Sequence, residues 1–178
     1  MPGTSFYDQA RNNAWSNYRL LAACQQLSHA ELIAPRTSFF PGILQTLNHM
    51  LTVDWYYFDA LTGQGRGYSV FEIENPFDDV VQLSAAQRDQ DDRIMAFCQG
   101  LRDVDATRQI AIERGDGNIV HETVAATLSH LFVHQTHHRG QVHAMLSGTS
   151  VKPPQLDEYY LDCDAVFRRD DFEKMGWN

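Results

Sequence analysis

The sequence predicts an all-α fold, an up-down four-helix bundle with a small β-hairpin before its last long helix. Three observations predict it. Apolar residues recur at helical spacing in four long stretches. Strand signals are confined to one short segment around a turn motif. The chain has 178 residues, which suits one compact core, and no composition break divides 1–178, so a single domain is expected.

The first long helix is predicted from about Tyr7 to about Leu27. Ala10, Ala14, Leu21 and Cys24 recur at helical spacing around the polar Arg11-Asn12-Asn13 cluster. The polar Ser28–Glu31 stretch follows its end. Pro35 marks a break. The second long helix is predicted from Ser38, a plausible N-cap, to about Leu61. Gly63, Gly65 and Gly67 end it. The segment from Gly63 to Leu83 is long and irregular and contains Pro76; loops of that length in compact domains are often functional. The third helix is predicted from a Ser84 cap to about Leu101. Ile110 and Ile112 then alternate with polar residues ahead of the turn signal Gly115-Asp116-Gly117-Asn118, which reads as a hairpin. The fourth helix is predicted from about Thr123 to Leu146. Gly148 stops it, and Pro153-Pro154 cannot continue it. A short helix is expected in the tail.

Composition excludes several roles. Hydrophobic residues make up 43% of the chain, which is globular rather than disordered. Net charge is -9 and there is no basic stripe, so nucleic acid and anionic membrane surfaces are disfavoured as partners. No apolar run is long enough to span a bilayer. The opening residues MPGTSFYDQARNN lack the basic-then-apolar pattern of a secretion signal. Cys24, Cys98 and Cys163 are an odd, sparse set, which fits a reducing, cytoplasmic compartment. Cys24 and Cys98, on helices, read as small buried hydrophobes.

The fourth helix carries the strongest chemical signal. Val124, Leu128, Leu131, Gln135, His138, Val142 and Met145 alternate in steps of four and three, the spacing of a bundle-facing seam. His134 lies one turn before His138, beside that seam. Residues four apart have Cβ atoms about 6 Å apart, close enough for two imidazoles to share one ion. His130 and His137 fall on the solvent side of this register, and His143 also points away. Buried imidazoles without partners are costly, so a pair facing the core is harder to read as packing alone, and at this point both readings stay open. In metalloproteases of the HExxH type a glutamate follows the first histidine. Here Gln135 stands there and cannot take a proton, so that peptidase chemistry is disfavoured. A third ligand should come from a facing helix. The second long helix offers His49 and Asp54, and its two apolar stripes do not choose between them. His29 lies at a helix end, and His121 near the hairpin can face any direction.

The segment HLFVHQTHHRGQVHAMLSG resembles the signature of the DinB/YfiT-like family of metal-binding four-helix bundles, which is distinct from the DNA polymerase sharing the DinB name. LNHMLTVDWYYFDAL resembles that family's first-histidine motif. AWSNYRLL, the GDGN turn and the PPQLDEYYL tail also fit, so the resemblance covers almost the whole chain. Carried over, the metal triad falls on His49, His134 and His138. Two of these match the seam register; His49 rests mainly on the resemblance. Asp54 reads either as an acceptor that orients an imidazole or as a salt-bridge partner for an arginine. Arg139 is expected to pair with an acid, Gly140 to permit close helix packing, and Asp157 and Glu158 to close the tail over the bundle. Trp15, Trp55 and the tyrosines of the second long helix line the core or a pocket.

Three neutral imidazoles leave coordination positions to water or substrate, the pattern of a catalytic site. They suit a divalent ion such as Zn, Ni, Cu or Fe, with Zn or Ni put first. Relatives of this family include thiol S-transferases that use low-molecular-weight thiols, and proteins described as metal-dependent hydrolases. The resemblance therefore implies a metal-dependent enzyme acting on a small-molecule substrate, with thiol transfer ahead of hydrolysis. No general base stands out, so the catalytic residues are unknown. The alternative is a metal- or small-ligand-binding stress protein without turnover. A homodimer is also expected from bundles of this type.

Overall fold

The computed structural model describes residues 5–177. Helix α1 spans Phe6–Cys24, α2 His29–Ile33, α3 Ile43–Thr62, α4 Val80–Gly100, α5 Asp103–Ala106, α6 Val124–Leu146 and α7 Ala165–Met175. Strands β1, Gln109–Glu113, and β2, Ile119–Thr123, form the hairpin ahead of α6. The four long helices form a ring in which α1 packs on α4 and α6, and α3 packs on α6 and α4. The predicted bundle and hairpin are both present. None of the described helices is long and apolar enough to cross a membrane.

The helix starts follow local capping. Ser5 accepts from the Asp8 amide at 3.1 Å while Asp8 reaches back to the Ser5 amide at 3.2 Å, a capping box. Thr123 caps α6 by accepting from the Ala126 amide at 3.1 Å. Two predicted starts are corrected. Helix α3 begins at Ile43, not Ser38, because Phe40 precedes Pro41 and a residue before proline is pushed out of helical geometry. Helix α4 begins at Val80, not at Ser84. Asp79 is its cap, accepting from the Val81 and Gln82 amides at 2.8 and 2.9 Å. Ser84 lies inside the helix and donates to the Val80 carbonyl at 2.6 Å. The first helix ends at Cys24. The Ser28–Glu31 stretch beyond it is itself a capping box that starts the short α2.

The hairpin runs in register from Gln109 opposite Thr123 to Glu113 opposite Ile119. Ile110 and Ile112 face inward and are buried. Of the loop after α3, residues Gly67–Glu72 form a 3-10 turn, and Val70 from it is buried. The tail helix is fastened to α1. Trp15 Nε1 donates to Asp171 Oδ2 at 3.1 Å, and Arg19 pairs with Asp171 at 2.6 Å and Glu158 at 2.9 Å. Of the two acids expected to close the tail, Glu158 does so, whereas Asp157 is exposed.

The core divides into two apolar clusters. One gathers Leu20, Cys24, Leu47, Leu51, Leu83 and Val142; the other gathers Tyr56, Ile94, Cys98, Ile110, Leu128 and Leu131. Between them every long helix contributes a buried polar residue: Asn13 and Asn17 from α1, Asp54 from α3, Gln87 and Asp91 from α4, Gln135 and Arg139 from α6. Gln87 Nε2 donates to Asp54 Oδ2 at 2.9 Å and to Asp91 Oδ1 at 3.3 Å. Asn13 and Asn17 donate to Asp91 Oδ1, each at 3.1 Å. Arg139 donates to Asn13 and Asn17. Among the described residues Arg139 thus meets an acid only through bridging asparagines, not in the direct pair expected. Among the described residues Asp54 neither orients an imidazole by a hydrogen bond nor forms a salt bridge; it accepts from Gln87. Burial pushes the Asp54 carboxyl up to about 7 and the Asp91 carboxyl up to about 8.

Candidate metal centre

All seven seam positions of α6, from Val124 to Met145, are buried. His130 and His137 are exposed, as the register predicts. His143 turns to the tail, its Nε2 at 2.9 Å from the Pro154 carbonyl. His29 and His121 are exposed on α2 and β2. None of these joins the cluster that follows.

Helices α3 and α6 bring His49, His134 and His138 together. One nitrogen from each ring lies within 4.8 Å of the others. His49 Nε2 stands 3.1 Å from His134 Nε2. Ring centroids are 5.1 Å apart for His49 and His134, 4.7 Å for His49 and His138, and 4.4 Å for His134 and His138. Imidazole nitrogens at about 2.0–2.1 Å from a tetrahedral zinc stand about 3.3 Å apart. The closest pair matches that spacing, so these three histidines can hold one metal ion.

Electrostatics favour the same role. Burial lowers His134 to about 3, with the neighbouring His138, His49, His130 and His137 adding to the effect. Burial and the nearby His138 lower His49 to about 4. Burial also lowers His138, against an opposing hydrogen bond from Gln141. All three rings are therefore neutral at neutral pH, and each has one nitrogen lone pair to offer a cation.

Two residues missed from sequence complete the surroundings. Phe40, in the loop before α3, packs on His49 with centroids 4.4 Å apart and lies 5.9 Å from His138. No periodicity marks a loop residue of this kind. Gln141 Oε1 lies 2.8 Å from His138 Nδ1, and Gln141 Nε2 lies 3.1 Å from His137 Nε2. Its place three residues after His138 on one helix was a usable signal. Gly140, expected to admit a close neighbour, is exposed, and an added Cβ there would meet nothing within 4 Å.

Two grooves beside α1, of about 440 and 460 Å³, are lined without any of the three histidines. The second is lined by Asn13, Phe132, His137, Arg139 and Tyr160, among others.

Comparisons with known proteins agree with the fold. No curated protein matches the chain. A crystal structure of a DinB-like protein from Bacillus cereus ATCC 10987 superposes with a TM-score of 0.60 at 15% identity. The match covers 79% of this chain and 90% of that one. The family model of the DinB family matches residues 2–165. A match over that much of the sequence, carried on a bundle that gathers three histidines, places this chain in the DinB family.

Proposed function

We propose that the chain is a divalent-metal-dependent enzyme in which His49, His134 and His138 hold one ion, zinc or nickel, and a small-molecule substrate meets it there. The observation that carries this reading is the 3.1 Å approach of two neutral imidazole nitrogens from facing helices, with a third imidazole alongside. An ion held by three imidazoles keeps coordination room and makes a bound water or thiol a ready nucleophile at neutral pH. The chain's own part is to keep the three rings neutral by burial and to cover the site with Phe40. Thiol S-transfer from a low-molecular-weight thiol to an electrophile is the first reaction we propose, and ester or amide hydrolysis the second.

The test is to incubate zinc- or nickel-loaded protein with an electrophile and a panel of bacterial thiols, following thiol loss and product mass. Metal-dependent conjugation supports thiol transfer; hydrolysis of an ester or amide panel supports the second reaction. A second reading, metal or ligand binding without turnover, is favoured by one observation. The cluster contains only histidines and no carboxylate, and the two grooves beside α1 are lined without it. Stoichiometric metal with no reaction on either panel supports that reading instead.

A further inference from the structure

Among the described residues, only one of the three histidines has its far ring nitrogen hydrogen-bonded. His138 Nδ1 lies 2.8 Å from Gln141 Oε1. His134 Nδ1 is buried with no partner. Gln141 is in turn engaged at its other end, where its Nε2 lies 3.1 Å from His137 Nε2. The helix makes this chain of three: Gln141 lies four residues after His137 and three after His138, about one turn from each, so one amide spans both rings.

A neutral imidazole has one donor nitrogen and one acceptor nitrogen, and a glutamine amide has one donor end and one acceptor end. The chain therefore has two consistent polarities. In the first, His138 Nδ1–H donates to Gln141 Oε1 and Gln141 Nε2–H donates to His137 Nε2. In the second every bond is reversed, and the His138 proton moves to Nε2. The second polarity takes away the His138 Nε2 lone pair. Only the first leaves that nitrogen free for an ion shared with His49 and His134.

We propose that Gln141 is the positioning residue of the three-histidine site, and that the outward-facing His137 orients it in a relay running from His138 Nδ1–H through Gln141 to His137 Nε2. The inference rests on the metal-binding reading above. It gives a role to a histidine outside the ligand set, one that periodicity assigns to solvent. Gln141 touches neither ion nor substrate; it acts by committing His138 to one tautomer and one ring orientation. Groups that orient a metal-ligating histidine in this way typically change affinity by about 10–100-fold when removed.

The test uses the full chain with zinc alone as probe. Zinc affinity is measured by chelator competition for the wild type, Gln141→Leu and Gln141→Glu, and ring tautomers are read by nitrogen-15 NMR on the zinc-loaded wild type. Gln141→Leu is expected to bind zinc about 10–100-fold more weakly. Gln141→Glu keeps the acceptor for His138 and is expected within a few-fold of wild type. His137 is expected to carry its proton on Nδ1 in the wild type. In Gln141→Glu, which offers His137 no donor, the proton should move to Nε2. Leucine and wild type binding alike, or a proton on His137 Nε2 in the loaded wild type, overturns the relay. If Gln141→Leu fails to fold by circular dichroism, the glutamate variant and the tautomer measurement still decide. A wild type that takes up no zinc contradicts the metal reading itself, a result separate from any difference between variants.

Discussion

His49 and His134, 85 residues apart in the chain, place their Nε2 atoms 3.1 Å from each other across the α3–α6 interface. Both rings are half-buried, and His138, beside them, is buried. Two neutral acceptors at that separation repel unless a proton or a cation lies between them, and three such nitrogens make a ligand set. His138→Ala should therefore abolish stoichiometric metal binding, measured by elemental analysis after gel filtration. Retention of one tightly held ion per chain in that variant would show that the ligands are elsewhere.

His130 lies 6.4 Å from His134 by ring centroids but faces solvent, and His137 is engaged with Gln141 rather than with the other rings' Nε2 atoms. His130→Ala and His137→Ala should each keep one ion per chain at saturating zinc. Substoichiometric metal in either variant contradicts the register of α6.

The buried carboxyl of Asp54 gives a pH dependence with a definite sign. Its folded value is raised to about 7 from an ordinary 3.8, so the folded state holds the proton more tightly than the unfolded one. The stability it contributes is fully present below pH about 4 and is lost as pH rises through about 7. Asp91 and Arg139 lie in the same network. Asp54→Asn removes the titration. Relative to wild type it should gain about 3 kcal/mol between pH 5 and pH 9, read from urea unfolding at both. A difference independent of pH contradicts the neutral-acid assignment.

Arg19 joins α1 to the tail through Asp171 and Glu158 and also donates to the Phe167 carbonyl. Arg19→Met should loosen the tail, lowering stability by about 1–2 kcal/mol and speeding limited proteolysis between α6 and α7. Metal affinity should not change. Unchanged proteolysis would show that the Trp15 to Asp171 bond holds the tail unaided.

Much of this architecture is legible from spacing. The α6 seam was readable because its seven positions follow one period and every one is buried. The same period shows polar residues at 135 and 138; the structure places Gln135 in a polar layer between two apolar clusters and His138 in the three-histidine cluster. The layer itself was not legible, since it takes one or two residues from each of four helices and its partners lie up to 126 positions apart. His49 was not fixed by periodicity, because α3 is buried on most of its surface and its pattern selects no single face. The α4 start is not legible although Asp79 stands in the sequence as a strong cap; serine and aspartate compete for that role and only geometry decides. Phe40 lies in a loop, where its approach to His49 depends on how the chain returns from Pro41.

The proposed chemistry needs three imidazoles meeting one cation. Crystals of zinc-loaded protein, measured at the zinc absorption edge, test it most directly. The predicted result is a single anomalous peak per chain, about 2.0–2.1 Å from one ring nitrogen each of His49, His134 and His138. A peak bound by other residues, or zinc-soaked crystals with no peak among these three rings, contradicts it.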